Sequence, residues 1–206
     1  ALPSDGAGLS VMAEGQVAGG GGTVAASSPT SRRLEEIQFS LAEGPCFDAF
    51  TLRHPVLESD LAGHGMRRWL GYGPAAHEEG VRAVFAFPLQ VGAARLGALD
   101  IYRAKPGSLS PRAVSQAATF AEVAMTTLLD GQQAAPDGEV ATGLDDVLQG
   151  RAEIYQAQGM VQVHLGVSLI EAMARLRAHA YVNNQVLGDL ARDVVAGRTV
   201  LTRDAS

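Results

Sequence analysis

Hydrophobic positions in the first part of the chain follow the two-residue period of β-strands in several separate segments. Residues 84–89 are almost all apolar, and residues 94–102 alternate between two faces. This pair predicts two neighbouring strands at the centre of an antiparallel sheet. Weaker patterns of the same kind predict further strands over residues 7–12, 17–26 and 55–61.

Helical signals lie between these strands and after them. Thr30 or Ser31 is a suitable N-cap for a helix that ends at Leu41, because the Gly44-Pro45 pair interrupts helical structure soon afterwards. Glycines and a proline within residues 66–79 predict broken helical turns. Ser110 followed by Pro111 predicts the start of a long helix that runs to about Gln133.

The long helix carries an apolar seam with three- and four-residue spacing, formed by Val114, Ala117, Ala121, Ala124 and Leu128. Two interpretations are open: the seam packs on the protein's own sheet, or it forms a contact between two copies of the chain. Phe120, Val123 and Leu129 lie outside the seam, so one helix has apolar residues for both surfaces. This double-sided character favours a homodimer.

The pattern changes after residues 131–143, where Gly, Gln, Ala and Pro give a composition typical of a linker. Beyond it no strand pattern occurs, and three helices are predicted over residues 144–165, 168–183 and 187–196. Ser168 and Glu171 have the spacing of a capping box at the start of the second helix.

Composition narrows the class of protein. The formal net charge is -6, the pI is near 5.3 and 47% of the residues are hydrophobic, which fits one large or two small globular domains. The single cysteine, Cys46, excludes an internal disulfide and any CxxC site. No apolar run has the length of a transmembrane helix and no signal peptide is visible, so we expect a cytoplasmic protein without membrane contact.

Motifs for catalysis are not found in the sequence. The glycine run near residue 20 is not followed by the lysine of a phosphate-binding loop, and the five histidines form no HExxH arrangement. A G-x-S-x-G elbow is also missing. We therefore expect a protein that is not an enzyme.

The last part of the chain closely resembles the ANTAR domain. The resemblance covers nearly all of residues 144–197 and rests on the A-x-G-M step at Ala157 to Met160, the Ser168 cap and the R-L-R-x-x-A run that starts at Arg175. It implies binding of RNA hairpins in nascent transcripts, typically by a dimer, so that a terminator hairpin does not form. The side chains and backbone positions that we expect to contact RNA are Arg151, Gln158, Gly159, Met160, Arg175 and Arg177.

Each of these positions also has a structural interpretation. Ala157 and Gly159 allow either a neighbouring helix or an RNA backbone to come close. Arg151 and Gln158 share a helix face that is suited to phosphate or base contacts, or is simply solvated. Arg175 and Arg177 point to different sides of their helix, so at most one of them contacts RNA at a time.

The charge of this part of the chain predicts weak RNA binding. Its six arginines are outnumbered by seven acidic residues, and Gln158 stands where the family often has lysine. Phosphate neutralisation supplies much of the affinity for nucleic acid. The alternative is therefore a small-molecule-binding or protein-interaction module whose helical domain dimerises without strong RNA binding.

The N-terminal part resembles a GAF domain, notably in the Leu41 to Cys46 segment and in Gly80 to Leu89, and the usual opening helix is missing. This implies an α+β fold: a GAF-type antiparallel sheet flanked by helices, followed by an all-α three-helix ANTAR domain. The expected boundaries are 1–130 for a GAF sensory domain, 131–143 for a linker and 144–206 for the ANTAR domain.

GAF domains often hold a small ligand between sheet and helices, but its identity cannot be read here and the cofactor is unknown. The residues that we expect to line such a pocket are four aromatic side chains and one acid: Trp69, Tyr72, Phe85, Phe87 and Asp100. Aromatic residues in a small domain more often form its core. Cys46 is interpreted as a small buried hydrophobe rather than a reactive sensor thiol.

Overall fold

The computed structural model describes residues 2–12, 21–134, 144–183 and 185–202. The chain divides into two compact units, Ala1–Val147 and Leu148–Ser206. The first contains the sheet and the second is helical, so the predicted α+β class is confirmed. Within the described residues, no helix combines the length and the apolar character that are needed to cross a bilayer.

The first unit is built on one five-stranded antiparallel sheet with the order β2-β1-β5-β4-β3. The two strands predicted to be central are indeed neighbours, and Phe85 pairs with Ile101 between them. β3 is short and pairs only with Val84 to Ala86 of β4. The strands are β1 (Gly6–Met12), β2 (Gly21–Ala26), β3 (Val56–Glu58), β4 (Ala83–Val91) and β5 (Ala94–Arg103).

Five helices and one π-helical turn (Leu61–Gly65) accompany the sheet in the residues of this unit that the structure describes. The broken turns predicted over residues 66–79 are α3 and α4. The helices are α1 (Pro29–Leu41), α2 (Pro45–Leu52), α3 (Met66–Arg68), α4 (Tyr72–Glu78) and α5 (Pro111–Ala134).

The N-cap of α1 differs from the sequence-based prediction. Ser28, not Thr30 or Ser31, precedes the helix, and its hydroxyl accepts the Ser31 N–H at 3.0 Å. Pro29 then occupies the first helical position, where a missing N–H costs nothing. The prediction was wrong by about one turn because the serine and threonine residues here are all acceptable caps, and the proline marks the true start.

The sheet separates two apolar layers. Val84 and Ala86 of β4 face α1 and α4, whereas Phe85 and Phe87 face α5. This alternation is the two-residue period of a strand that is buried on both sides. The seam of α5 packs on the sheet, because Ala117 is fully buried there in the same layer as Phe85.

Three helices are found in the described residues of the second unit: α6 (Leu144–Leu165), whose first four residues belong to the first unit, α7 (Leu169–Val182) and α8 (Leu187–Val195). Ser168 caps α7 as predicted, since its hydroxyl accepts the Glu171 N–H at 3.1 Å. The core of this unit consists of Ala157, Val161, Leu165, Ala172, Met173, Leu176, Ala180, Leu187, Leu190, Ala191, Val194 and Leu201. Small residues at the helix contacts let these short helices approach closely.

Candidate functional site

A group of polar side chains is buried between the sheet and α1, in the first unit. Glu35 and Gln38 project from α1, Ser10 from β1 and Asp100 from β5, and all four are 0% exposed. Polar groups are rarely buried without a reason, because losing contact with water costs free energy. We call the following set the acidic cluster: Ser10, Glu35, Gln38, Cys46, Tyr72, Asp100 and Tyr102.

Glu35 is held by two hydroxyl groups. The Ser10 hydroxyl donates to Glu35 Oε2 at 2.5 Å, and the Tyr102 hydroxyl donates to Oε1 at 2.7 Å. Gly8 makes room for this carboxyl group, because a Cβ atom at that position would collide with it. The glycine in β1 therefore lets α1 lie close enough to the sheet for Glu35 to reach Tyr102.

Asp100 is oriented by an amide. The Gln38 Nε2 group donates to Asp100 Oδ2 at 2.5 Å, and the Tyr102 hydroxyl lies 3.3 Å from the same oxygen. Gln38 is itself fixed, since its Oε1 atom accepts the Cys46 backbone N–H at 2.8 Å. Its rotamer is thus determined by contacts at both ends, which gives Asp100 a defined direction.

Two polar atoms of the cluster are buried and make no hydrogen bond of ordinary length and angle: Asp100 Oδ1 and the Tyr72 hydroxyl oxygen, which lies near the Tyr102 hydroxyl. A buried polar atom that makes no hydrogen bond costs about 1–3 kcal/mol. Such atoms are uncommon in native proteins, and a bound water molecule, a bound ion or local strain accounts for them where they occur.

Burial dominates the electrostatics of the cluster. It raises the pKa of Glu35 from its ordinary value of 4.5 to about 7, against the lowering effect of the hydrogen bonds from Ser10 and Tyr102. Burial and the charge of Glu35 raise the pKa of Asp100 well above its usual range. Burial likewise raises the pKa of the Cys46 thiol, helped by the two acids. These groups favour their neutral forms unless a positive charge arrives.

The five residues predicted to line a ligand pocket do not lie together. Phe85 and Phe87 face α5, on the opposite side of the sheet from Trp69 and Tyr72. Trp69 and Tyr72 pack edge to face with ring centroids 5.9 Å apart, in the interior beneath α1. Of the five, the structure brings Tyr72 close to Asp100: burial raises the pKa of the tyrosine, and the charge of Asp100 adds to the effect.

Glu35, Gln38, Ser10 and Tyr102 were not predicted as site residues. The helix pattern gave a weak signal, because Glu35 and Gln38 are three apart and share a face with the buried Leu34. A polar residue on the core side of an amphipathic helix is the feature that identifies such a site from sequence.

In the second unit, the predicted RNA-binding positions on α6 differ in accessibility. The Gln158 side chain is engaged, since its Nε2 group donates to the Leu169 carbonyl oxygen at 2.7 Å across the α6–α7 corner. Gly159 has open space where a Cβ atom would be, and Met160 is 40% exposed. Gly159 and Met160 also line a shallow surface groove with His164. The side chain of Arg151 lies outside the described residues.

The two arginines of α7 are both half-buried but have different surroundings. The Arg175 guanidinium donates from Nε and Nη2 to Glu171 Oε1 at 3.1 and 2.9 Å. Burial lowers the pKa of Arg177, partly offset by Tyr155. Arg175 therefore faces an acid near the helix start, whereas Arg177 lies in a more buried position near Tyr155.

Ion pairs also engage the arginines of α8 and its C-terminal extension. Arg192 pairs with Asp189 and lies 3.6 Å from Glu153 of α6, and Arg198 contacts Asp193 at 2.7 Å. These pairs are at the surface, where such contacts contribute about 0–1 kcal/mol each.

An antiparallel sheet with helices on both faces, an acidic cluster between that sheet and α1, and a three-helix unit that follows in the chain define an α+β protein of two units. A family model for the GAF domain matches residues 3–128, and one for the ANTAR domain matches residues 142–195. The chain belongs to the GAF domain family and carries an ANTAR domain after it. Both are regulatory rather than catalytic domains, and together they make a signal-regulated ANTAR regulator.

Solved structures with similarity to the chain are distant. A domain of a putative two-component sensor histidine kinase from Sinorhizobium meliloti 1021 is 18% identical, with 62% of this chain and 81% of that chain covered and a TM-score of 0.47. The GAF domain of a phosphoenolpyruvate-protein phosphotransferase from Coxiella burnetii is 18% identical, with 65% and 76% covered and a TM-score of 0.49.

A type II free methionine-R-sulfoxide reductase from Thermoplasma acidophilum is 16% identical, with 60% of this chain and 77% of that chain covered and a TM-score of 0.44. Identities of 16–18% with TM-scores below 0.5 do not indicate a shared function. None of the curated proteins compared with the chain matches it.

Proposed function

We propose that the protein is a transcription antitermination regulator that binds RNA hairpins in nascent transcripts through its ANTAR domain. The observation that carries this proposal is the ANTAR match over residues 142–195, on a unit that folds as three helices with its own core. In this proposal residues 1–130 form the sensory GAF domain, 131–143 the linker and 144–206 the RNA-binding domain. The protein acts in the cytoplasm, and a small molecule bound by the GAF domain is the signal.

The surface proposed for RNA contact combines open space beside Gly159 with cationic side chains. Gly159 offers open space on α6, and Met160 beside it presents exposed apolar surface to a base. Arg175 exchanges its Glu171 partner for a phosphate, which costs little because that ion pair is partly exposed. Arg151 is the further cation proposed for a phosphate contact, and Arg177 takes part only in place of Arg175, because the two point to different sides of α7. The Gln158 amide reads a base edge only after it leaves Leu169.

An Arg151→Ala variant tests this surface. We expect it to weaken binding to a hairpin RNA about equally for all hairpin sequences, because a phosphate contact carries no sequence information. The slope of log affinity against log salt should become shallower by about 1. Gel-shift or fluorescence-anisotropy titrations of the full chain at several salt concentrations measure both quantities.

Arg112→Ala is the matched control for this prediction, since Arg112 is an exposed arginine on α5 of the first unit. It should leave both the affinity and the salt slope unchanged. Equal binding of hairpin and scrambled RNA by the wild-type chain would contradict the proposed function.

A second function is favoured by one observation. Arg175, Arg192 and Arg198 all contact acidic side chains, which leaves little net positive surface on the helical unit. This observation favours a small-molecule-binding or protein-interaction module whose ANTAR unit dimerises without strong RNA binding. RNA binding that weakens as salt rises rejects this alternative.

We further propose that the protein acts as a homodimer through the exposed side of α5. Phe120 and Val123 lie three residues apart on this helix and are 53% and 56% exposed, although its seam is buried on the sheet. A Phe120→Glu substitution should therefore shift the chain from dimer to monomer in sedimentation experiments. Ser115→Glu, which adds the same charge at an exposed position five residues from Phe120 and so on a different side of the helix, should leave the dimer intact. A wild-type monomer at high concentration would contradict this proposal.

A further inference from the structure

The acidic cluster places two carboxyl groups together in the protein interior with no positive charge beside them. Within the described part of the chain, no arginine, lysine or histidine forms an ion pair with Glu35 or Asp100. Two adjacent carboxylates are strongly unfavourable in such surroundings. The site therefore needs positive charge, either as bound protons or as a metal ion.

The donor atoms of the cluster have the arrangement of a metal site. One carboxylate oxygen from Glu35, one from Asp100 and the Cys46 sulfur all lie within 4.8 Å of one another. This spread is small enough for side-chain rotation to bring all three atoms to one ion, since zinc–sulfur and zinc–oxygen distances are about 2.3 and 2.1 Å.

The surrounding hydrogen bonds are of the kind that supports metal ligands. Ser10 and Tyr102 donate to the Glu35 carboxyl group, and Gln38 donates to Asp100. Carboxylates that bind metals are usually fixed by such outer contacts, which leave one lone pair directed at the ion. Asp100 Oδ1 is the atom left over here, because it is buried and makes no hydrogen bond.

The Tyr72 hydroxyl is an independent indication of a missing ligand. It is fully buried and makes no hydrogen bond of ordinary length and angle, although the Tyr102 hydroxyl lies near it. Burial raises its pKa, and the charges of Asp100, Glu35 and Cys46 add to this effect. Tyr72 lies on α4, whereas Glu35, Cys46 and Asp100 lie on α1, α2 and β5. The direction of the Tyr72 side chain is therefore set separately from theirs. A metal ion, or a water molecule bound to one, would satisfy this oxygen.

We propose that Glu35, Cys46 and Asp100 form a binding site for a divalent transition-metal ion of the zinc type. One thiolate and two carboxylates are a mixed sulfur and oxygen donor set, which suits zinc better than magnesium or calcium. Binding displaces the thiol proton and the carboxyl protons to solvent and involves no change of oxidation state. The site is independent of RNA recognition by the ANTAR domain.

Cobalt(II) is the probe for this site, because Cys46 is the only thiol in the chain. The full-length protein is treated with a chelator, exchanged into chelator-free buffer and titrated with cobalt(II) under nitrogen. We expect a thiolate-to-cobalt charge-transfer band that saturates at about one ion per chain and disappears when zinc is added. Zinc should also raise the melting temperature of the metal-free protein.

Conservative variants separate this site from adventitious binding. Cys46→Ser should abolish the charge-transfer band, and Asp100→Asn and Glu35→Gln should each lose the zinc-induced rise in melting temperature. Ser10→Ala, which removes an outer contact to Glu35, should weaken cobalt binding about 10- to 100-fold. Glu122→Gln, at an exposed position on α5, should bind cobalt like the wild type.

Circular dichroism of each metal-free variant establishes that it is folded before it is titrated. A wild-type protein that shows neither the band nor a change in melting temperature with zinc would overturn the proposal and identify the cluster as a proton-sharing pair. A band that persists unchanged in Asp100→Asn and Glu35→Gln would also overturn it. Either result leaves RNA binding, measured separately by gel shift, unaffected.

Discussion

Raising the pH from about 4.5 to about 7 is expected to lower the free energy of unfolding of the metal-free protein by roughly 3 kcal/mol through Glu35. Below this range both the folded and the unfolded chain hold the proton. Within it the unfolded chain loses the proton first, because its pKa is the ordinary one, so the unfolded state gains stability as pH rises. Above about 7 both forms are ionised and this effect is constant.

Ionisation of Asp100 also lowers the free energy of unfolding as the pH rises, because burial and the charge of Glu35 raise the pKa of Asp100 in the folded chain. The groups that surround Glu35 are Asp100, Tyr102, Cys46 and Tyr72, and none of them is a cation. Denaturant titrations at several pH values, with a chelator present, measure the dependence. A Glu35→Gln variant should have a smaller slope than the wild type over this range, because it has no proton to lose at this position.

Glu122→Gln is the matched control for the pH dependence, because it removes an exposed carboxylate from the same unit. Its slope should equal that of the wild type. The prediction fails if Glu35→Gln keeps the wild-type dependence of the unfolding free energy on pH. Glu35 would then have the same pKa in the folded and the unfolded chain, and its carboxyl group would not be buried as the structure describes.

The second large effect is expected in the helical unit. Leu176 is 0% exposed in the core between α7 and its neighbours. Replacing it with alanine should cost about 2–5 kcal/mol, from the lost transfer free energy and the cavity left behind. For a unit of this size that loss is a large part of its total stability, so we expect α6 to α8 to be substantially unfolded.

Hydrogen–deuterium exchange resolved by segment measures this effect. Amides of α7 and α8 should lose protection in Leu176→Ala, while those of β4 and β5 should keep it. Val182→Ala is the control on the same helix, because Val182 is 80% exposed and exposed substitutions change stability by less than about 0.5 kcal/mol. Equal loss of protection in β4 and β5 would show that the two units unfold as one.

The regular elements could be predicted because each has a period that depends only on its own residues. The end of α1 at Leu41, the start of α5 at Pro111 and the extent of α6 all agree with the sequence pattern. The seam of α5 was assigned correctly as apolar, but its partner was not determined. An apolar stripe looks the same whether it packs on a sheet or on a second helix.

The site was harder to predict because it depends on the register between strands. The alternation in β4 puts Phe85 and Phe87 on one face, and the alternation in β5 puts Asp100 on one face. Only the pairing of Asp100 with Ala86 shows that these are opposite faces of the sheet. The reach of Glu35 to Tyr102 depends in turn on the close approach of α1 over Gly8, which no local pattern encodes.

The short third strand has a consequence for the behaviour of the protein at high concentration. It pairs only with residues 84–86 of β4, so within the described residues no strand pairs with residues 87–91 on that side of the sheet. Unpaired strand borders can recruit extended segments of other molecules and start aggregation. Pro88 lies within this stretch and has no N–H group, so an incoming strand would lack a donor there. The proline thereby protects the sheet against edge-to-edge polymerisation.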